Sequence, residues 1–181
     1  MGDRLLALLR ERAFERRRVV LASGKESDWF VDCKQAVLTA EGHALAGAAM
    51  LDRALEIGTP DAVAGVELGG CPLASSVALL SFQRGRPLDA VYVRKQAKDH
   101  GSRRPMEGDS GLADGAKVVV LEDVVTTGGS TLAAIEKLRA RGLDVIGVVA
   151  LVDREEGGAE ALAAAGVGLV ALYRRADFVS D

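Results

Sequence analysis

The chain has 181 residues, 49% apolar and 27% charged, so it is long enough for one well-packed domain and short for two. Its formal net charge of -3 argues against a general nucleic-acid binder, which normally carries a basic excess. No apolar run approaches the roughly 20 residues of a membrane span. The segment "MGDRLLALLRERAFERRR" is too charged for a signal peptide, so we expect a cytoplasmic protein with no membrane and no nucleic-acid partner.

The N-terminal part predicts two helices around one short strand. Leucines at helical spacing predict an amphipathic helix over residues 3 to 17. A polar turn, "ASGKESD", follows, and then "WFVDC" can form a strand. The alanine-rich segment from Thr39 to Ile57 predicts a long helix that ends at Gly58 and Pro60.

Apolar runs and helical segments alternate along the rest of the chain. The strand-like runs are "DAVAGVEL", "LDAVYVR", "AKVVVLEDVV", "DVIGVVALVD" and "VGLVALY", and the helical segments are 72–84, 130–141 and 158–165. Continuous apolar runs are typical of strands buried on both faces, which predicts a mainly parallel α/β sheet flanked by helices. We expect a single domain over 1–181, with about 1–38 as a small N-terminal hood, about 39–181 as the core, and strand 116–122 near the centre of the sheet.

Four unusual segments follow predicted strands: "ELGGCP" (67–72), "RKQAKDHGSRRP" (94–105), "EDVVTTGGST" (122–131) and "DREEGG" (153–158). In parallel α/β sheets ligands bind at the carboxyl ends of the strands, so all four are expected on one rim. The two cysteines, Cys33 and Cys71, and the two histidines, His43 and His100, do not cluster. They predict reduced thiols and no zinc site.

The loop "TTGGST" combines hydroxyls with glycines directly before a predicted helix. Glycine permits a close backbone approach, and the helix start directs free N–H groups at the loop, which is typical of a phosphate site. The alternative is an ordinary glycine turn with Ser130 as the N-cap. A nucleotide P-loop is excluded, because its lysine is absent.

Glu122 and Asp123 stand directly before this loop. Carboxylates accept hydrogen bonds from sugar hydroxyls and stabilise positive charge at an anomeric carbon, so the pair favours a sugar phosphate as ligand. Two solvated acids, or a Mg²⁺ site shared with substrate phosphates, are the alternatives.

Two further segments carry positive charge on the predicted rim. The glycine-flanked segment 94–105 holds five basic residues, which could be a solvated loop or a mobile lid that closes over pyrophosphate. Arg154 follows a strand, where it could grip a planar acidic substrate or form a salt bridge to Glu155 or Glu156.

The run "VVVLEDVVTTGGST" resembles the phosphoribosyl pyrophosphate (PRPP) signature of the type I phosphoribosyltransferases. "YVRKQAKDHGS" resembles the lid of the orotate phosphoribosyltransferases, "VDREEGG" their segment after the next strand, and "LASGKESDWFVD" their N-terminal substrate loop. These segments occur in the family's order over most of the chain.

The resemblance implies transfer of ribose 5-phosphate from PRPP to N1 of orotate, giving orotidine 5′-phosphate and pyrophosphate in de novo pyrimidine biosynthesis. It also implies Mg²⁺, held mainly through PRPP and water rather than by side chains, and a homodimer whose lid reaches the neighbouring subunit. The implied catalytic residues are Lys98, Glu122 and Asp123, and the implied orotate residues are Phe30, Thr126 and Arg154. The implied PRPP residues are Arg94, Lys95, Lys98, His100, Glu122, Asp123, Val124, Val125, Thr126, Thr127, Gly128, Gly129 and Ser130.

Two positions depart from the family pattern. Many relatives have lysines where this chain has Ala22 and Gly69, and Lys25 is a candidate to replace either. A phosphoribosyltransferase for a purine or uracil is the first alternative, although it gives no reason for "RKQAKDHG" or "DREEGG". A regulatory protein that senses PRPP is the second, and a turnover assay separates the three.

Overall fold

The computed structural model describes residues 3–20, 26–95 and 104–179. Its N-terminal part contains two short helices and two antiparallel pairs of very short strands, β1 with β4 and β2 with β3. These elements are α1 (Arg4–Arg12), β1 (Phe14–Glu15), β2 (Val19–Val20), β3 (Glu26–Ser27), β4 (Phe30–Val31) and α2 (Lys34–Val37).

The first helix is shorter than the leucine pattern predicts. It begins after Asp3, whose carboxylate caps the N–H of Leu6, and it ends at Arg12 rather than at residue 17. Phe14 leaves the helix because its strand pairs with β4 and its ring packs against Trp29, with 6.2 Å between the ring centroids. The prediction of a helix to residue 17 was therefore wrong, since a tertiary contact outweighs helical spacing there.

The core is a six-stranded sheet in the order β10-β9-β8-β5-β6-β7, parallel except for the β6–β7 pair. Its strands are β5 (Ala62–Val66), β6 (Asp89–Val93), β7 (Met106–Glu107), β8 (Lys117–Val125), β9 (Asp144–Asp153) and β10 (Leu169–Arg174). The predicted parallel sheet is confirmed, and β8 lies third of the six strands.

Helices cover both faces of this sheet. The helices of the core are α3 (Ala40–Ile57), α4 (Gly70–Gln83), α5 (Gly129–Ala140) and α6 (Gly158–Ala164). Val119 and Leu121 of β8 pack with α1, α3 and α4, whereas Val118 and Val120 pack with α5 and α6. Both faces of β8 are therefore buried, which explains its unbroken run of apolar residues. In the described ranges, no helix has the length and apolar character to cross a bilayer.

Candidate active site

Strand β8 carries the acid pair to the carboxyl edge of the sheet. Because successive side chains of a strand point to opposite faces, Glu122 faces the same side as Val120 and Asp123 faces the hood. The two carboxylates consequently lie in different surroundings, although they are neighbours in the sequence.

Glu122 is buried beneath the rim, with 4% of its surface exposed. Its Oε2 and the Oγ1 of Thr131, in the first turn of α5, are buried without a hydrogen-bond partner among the described residues. Burial raises the pKa of Glu122 well above its ordinary value, the negative charge of Asp123 raises it further, and the Lys95 ammonium opposes this rise. The neighbouring Thr131 hydroxyl also lowers this pKa, and the Oε2 atom of Glu122 remains available to a ligand.

Asp123 is more accessible, since 15% of its side chain is exposed. Its Oδ1 accepts a hydrogen bond from the Val124 N–H at 3.0 Å, and its Oδ2 lies 3.7 Å from Nζ of Lys34. Burial raises the pKa of Asp123, and the Lys34 ammonium partly offsets that rise. A Cβ built on Gly69 would lie 2.0 Å from Oδ2, so this orientation of the carboxylate requires glycine at position 69.

The threonine- and glycine-rich loop leads into helix α5 through a left-handed glycine. Gly128 is the N-cap residue, with φ +79°, and α5 begins at Gly129. The N-cap residue makes no side-chain hydrogen bond to this helix start, and the prediction of Ser130 as the N-cap was wrong. Thr127, Gly129 and Ser130 are exposed, which leaves the first N–H groups of α5 open to an anion.

The basic segment begins on an anchored backbone. The Lys137 ammonium, on α5, donates to the carbonyl oxygens of Arg94 and Lys95 at 2.6 and 3.0 Å. The Lys95 N–H donates to Glu67 in the loop after β5, and the Arg94 guanidinium pairs with Glu107 at 3.0 Å. Two of the four rim segments, 67–72 and 94–105, are therefore joined here, and both are tied to helix α5 through Lys137. Lys98 and His100 lie outside the described residues, as do Ala22 and Lys25.

Arg154 lies at the end of β9, directly beside the loop that follows β8. Its N–H donates to the Val125 carbonyl at 2.9 Å. Its guanidinium is almost fully buried and donates to Glu156 at 2.8 Å and to the Ser27 hydroxyl at 2.9 Å. The predicted alternative of a salt bridge to Glu156 is therefore present, together with a contact to the hood.

Trp29 fixes the plane of this guanidinium. The Arg154 Cζ lies 3.9 Å from the Trp29 ring centroid, and the indole stacks on Phe178 at 6.0 Å. Phe30, rather than Trp29, was predicted as an orotate-binding residue. It is half-buried, and the Arg17 guanidinium lies 4.8 Å above its ring. Trp29 is the single tryptophan of the chain, and that was the one signal that could have drawn attention to it.

An open cavity of about 410 Å³ lies against the Arg154 guanidinium. Its walls combine three arginines, three acids, one serine and the indole edge, which suits a planar ligand that carries negative charge. The lining residues are Arg18, Glu26, Ser27, Asp28, Trp29, Arg154, Glu156 and Arg175.

The described residues contain no cluster of three or more histidine, cysteine or acidic side chains that could hold a metal ion. The threonine- and glycine-rich loop at the start of α5 is called here the phosphate cradle. The acids nearest to it are Glu122, which is buried, and Asp123, which already faces a lysine. This donor set suits a divalent ion that arrives with substrate phosphates and water, rather than one in a side-chain cage.

These features together define an enzyme that holds a phosphorylated sugar at the carboxyl edge of a parallel sheet. The sequence matches the phosphoribosyl transferase domain family over residues 37–169. It is 66% identical to an orotate phosphoribosyltransferase of Sorangium cellulosum over 179 residues, which cover 99% of this chain and 93% of that protein.

Solved structures agree with this match. A phosphoribosyltransferase from Corynebacterium diphtheriae superposes with a TM-score of 0.82 at 35% identity, covering 96% of this chain and 95% of that one. The Mycobacterium tuberculosis orotate phosphoribosyltransferase, in complex with PRPP, superposes with a TM-score of 0.77 at 33% identity, covering 96% of each chain. The chain belongs to the phosphoribosyltransferase family, within the branch of the orotate phosphoribosyltransferases.

Proposed function

We propose that this chain transfers ribose 5-phosphate from PRPP to N1 of orotate, with release of pyrophosphate. The observation that carries the proposal is the meeting of three features at adjacent strand ends. The carboxylate of Asp123, the uncapped start of α5 and the guanidinium of Arg154 lie at the ends of β8 and β9, which are hydrogen-bonded neighbours.

The phosphate cradle binds the 5′-phosphate of PRPP, and the two acids bind its ribose hydroxyls. The exposed residues Thr127, Gly129 and Ser130 hold the 5′-phosphate at the helix start, where the backbone N–H groups and the helix dipole favour negative charge. Asp123 accepts hydrogen bonds from the ribose hydroxyls, and the unused Oε2 of Glu122 is a second acceptor once a hydroxyl reaches it. Both carboxyl groups stabilise positive charge that develops at the anomeric carbon.

Orotate is planar and carries a carboxylate, and the cavity against Arg154 suits both properties. Arg154 is held in one plane by Trp29, which lowers the entropy lost when it pairs with a carboxylate. Glu156 occupies one edge of the guanidinium in this structure. Orotate therefore takes its place in competition with Glu156 or binds an adjacent edge.

The basic segment serves the leaving group in this proposal. Lys95 is exposed at its start, and Lys98 and His100 follow it in the sequence. Positive charge near the departing pyrophosphate stabilises the transition state. Mg²⁺, when bound through the diphosphate and water, adds positive charge at the same place.

We further propose that the working unit is a homodimer in the cytoplasm. Five large apolar side chains are exposed on α4 and beside it, a set called here the α4 surface: Leu38, Leu68, Leu79, Phe82 and Tyr92. Leu38, Leu68 and Tyr92 line one surface cavity, and exposed apolar side chains gathered in this way favour a protein contact. Tyr92 lies two residues before Arg94 on β6, so a second copy seated here approaches the start of the basic segment.

The deciding experiment measures the loss of orotate absorbance in the presence of PRPP and Mg²⁺. Turnover of orotate, with no turnover of uracil or a purine base, is the expected result, because uracil and purines lack the carboxylate that Arg154 would bind. Equal turnover of uracil would refute the assignment of the base.

A further inference from the structure

Three consecutive residues of the hood converge on Asp123. The Cys33 thiol lies 3.8 Å from the Asp123 carbonyl oxygen, and Nζ of Lys34 lies 3.7 Å from its Oδ2. Asp32 forms a close ion pair with the same ammonium, and its N–H donates to the Ala13 carbonyl at 2.9 Å. A continuous path of contacts therefore runs from the backbone after α1, through Asp32 and Lys34, to the more accessible acid of the site.

Among the described residues, the charged and titratable groups that act on Asp123 or are acted on by it are Asp32, Cys33, Glu122 and one cation, Lys34. Two further acids nearby would drive the Asp123 carboxylate away or favour its protonation. On the opposite side, Gly69 leaves the space that the carboxylate fills. The orientation of Asp123 thus depends on a bare backbone at one side and on one ammonium at the other.

Lys34 is also accessible enough to respond to a ligand. Its side chain is 36% exposed, and it lines a surface cavity together with Leu68 of the β5–α4 connection and Cys71 in the first turn of α4. It therefore borders both the acid and the loop after β5, although the signature motif contains neither Lys34 nor any residue close to it in sequence.

We propose that Lys34 is a positioning residue for the ribose of PRPP: acting through Asp123, it holds that carboxylate directed over Gly69, where it meets the sugar hydroxyls. The inference rests on the proposed function, because it takes the ribose of PRPP as the partner of Asp123. It assigns to the hood a part in binding the sugar, in addition to its contact with Arg154.

The test is a double-mutant cycle on PRPP binding, measured by calorimetry without orotate. Lys34→Met, which keeps the length of the side chain, should weaken PRPP binding about tenfold in the wild-type background. In the Asp123→Asn background the same change should weaken it less than twofold, because the carboxylate that Lys34 positions is gone. Lys34→Arg should stay within about threefold of wild type, since it keeps the charge.

The controls separate positioning from general stability. Lys117→Met removes an exposed lysine at the other end of β8 and should leave PRPP affinity unchanged. Equal losses for Lys34→Met in both backgrounds would overturn the proposal, as would no loss in either. If Lys34→Met does not fold, Lys34→Gln, judged by its melting temperature, enters the same cycle.

Orotate turnover by the wild-type chain is measured separately. A wild type that binds PRPP but leaves orotate unchanged refutes the proposed function, while the cycle still decides the role of Lys34. A wild type that does not bind PRPP overturns both.

Discussion

Glu122 is a residue of the proposed site that lowers the stability of the folded protein at neutral and higher pH. Folding raises the pKa of its carboxyl group, so the folded state binds the proton more tightly than the unfolded chain. Its contribution to stability is therefore present at low pH and is lost as pH rises through the folded pKa. At pH 8, well above the ordinary pKa of a glutamate, Glu122 therefore lowers the free energy of unfolding.

Glu122→Gln is accordingly expected to stabilise the protein at pH 8 and to impair it as an enzyme. We expect a gain of about 1–3 kcal/mol, because the neutral amide is spared the cost of burying a carboxyl group that the unfolded chain ionises freely, and about 2–4 °C in melting temperature for each kcal/mol. The gain should shrink near pH 4. Turnover at pH 8 should fall at least about tenfold, since a charge-assisted hydrogen bond to the ribose is lost.

The matched control is Glu136→Gln, which changes an exposed glutamate on α5. It should move neither the melting temperature nor turnover. Wild-type turnover of Glu122→Gln would contradict the assignment of this carboxyl group to the ribose.

In the proposed function, Arg154 determines which base the enzyme accepts. Its replacement should therefore affect the two substrates differently. Arg154→Ala should raise the KM for orotate far more than the KM for PRPP, because the lost partner belongs to one substrate only. Steady-state kinetics with each substrate varied in turn measures this difference. Equal increases would identify the contacts to Glu156 and Ser27 as the sole role of the guanidinium.

At the scale of elements, the cradle depends on a backbone conformation rather than on a side chain. Gly128 has φ +79°, and a Cβ there would lie 3.3 Å from the Gly158 carbonyl oxygen at the start of α6. Gly128→Ala should cost about 1–2 kcal/mol for the left-handed conformation. It should also weaken PRPP binding about tenfold or more by moving the helix start.

Gly166→Ala provides the matched control. Gly166 has φ +77° and would meet no atom within 4 Å, so its variant carries the same conformational cost without the contact. Both variants should lower the free energy of unfolding measured with denaturant. Only Gly128→Ala should raise the KM for PRPP. A normal KM for Gly128→Ala would contradict the role of this loop as a phosphate cradle.

The core strands can be predicted from the sequence because burial on both faces of the sheet requires continuous apolar runs. The runs around β5, β8 and β9 and the helix from residue 40 to 57 are predicted to within a few residues. In the hood, the sequence predicts part of α1 and the strand in "WFVDC" that contains β4, but it does not predict the other short strands, because these depend on pairing between strands and on aromatic contacts. Neither leaves a periodic signal.

The candidate site divides in the same way. The acid pair and the cradle are local in sequence, so the motif reveals them. Trp29 and Lys34 reach Arg154 and Asp123 across 125 and 89 positions of the chain, and nothing in their own neighbourhood indicates those contacts. Likewise, the sequence shows Glu122 and Asp123 as equals, and only the pleat of β8 separates a buried carboxyl group from an accessible one.

At the scale of the whole molecule, the proposed dimer predicts that sites are shared between subunits. Lys98→Ala and Asp123→Asn are each expected to be poorly active alone. If the basic segment acts across the interface, a mixed dimer has one site with both defects and one with neither. Turnover should then recover toward half that of a wild-type dimer.

Subunit exchange is confirmed independently by the mass of differently tagged dimers. A mixture that exchanges but stays as inactive as its parents would show that each segment serves its own subunit. Phe82→Glu, on the α4 surface, is the control, since a charge there should prevent association and therefore recovery.

The stack of Trp29 on Phe178 ties the end of the described chain to the plane of Arg154. Phe178 follows the last strand, outside every segment that resembles the family signature. In genetic terms, a premature stop after Arg174 would leave the signature intact and still remove the surface on which the indole rests. We therefore expect such an allele to raise the KM for orotate as well as to lower the amount of folded protein.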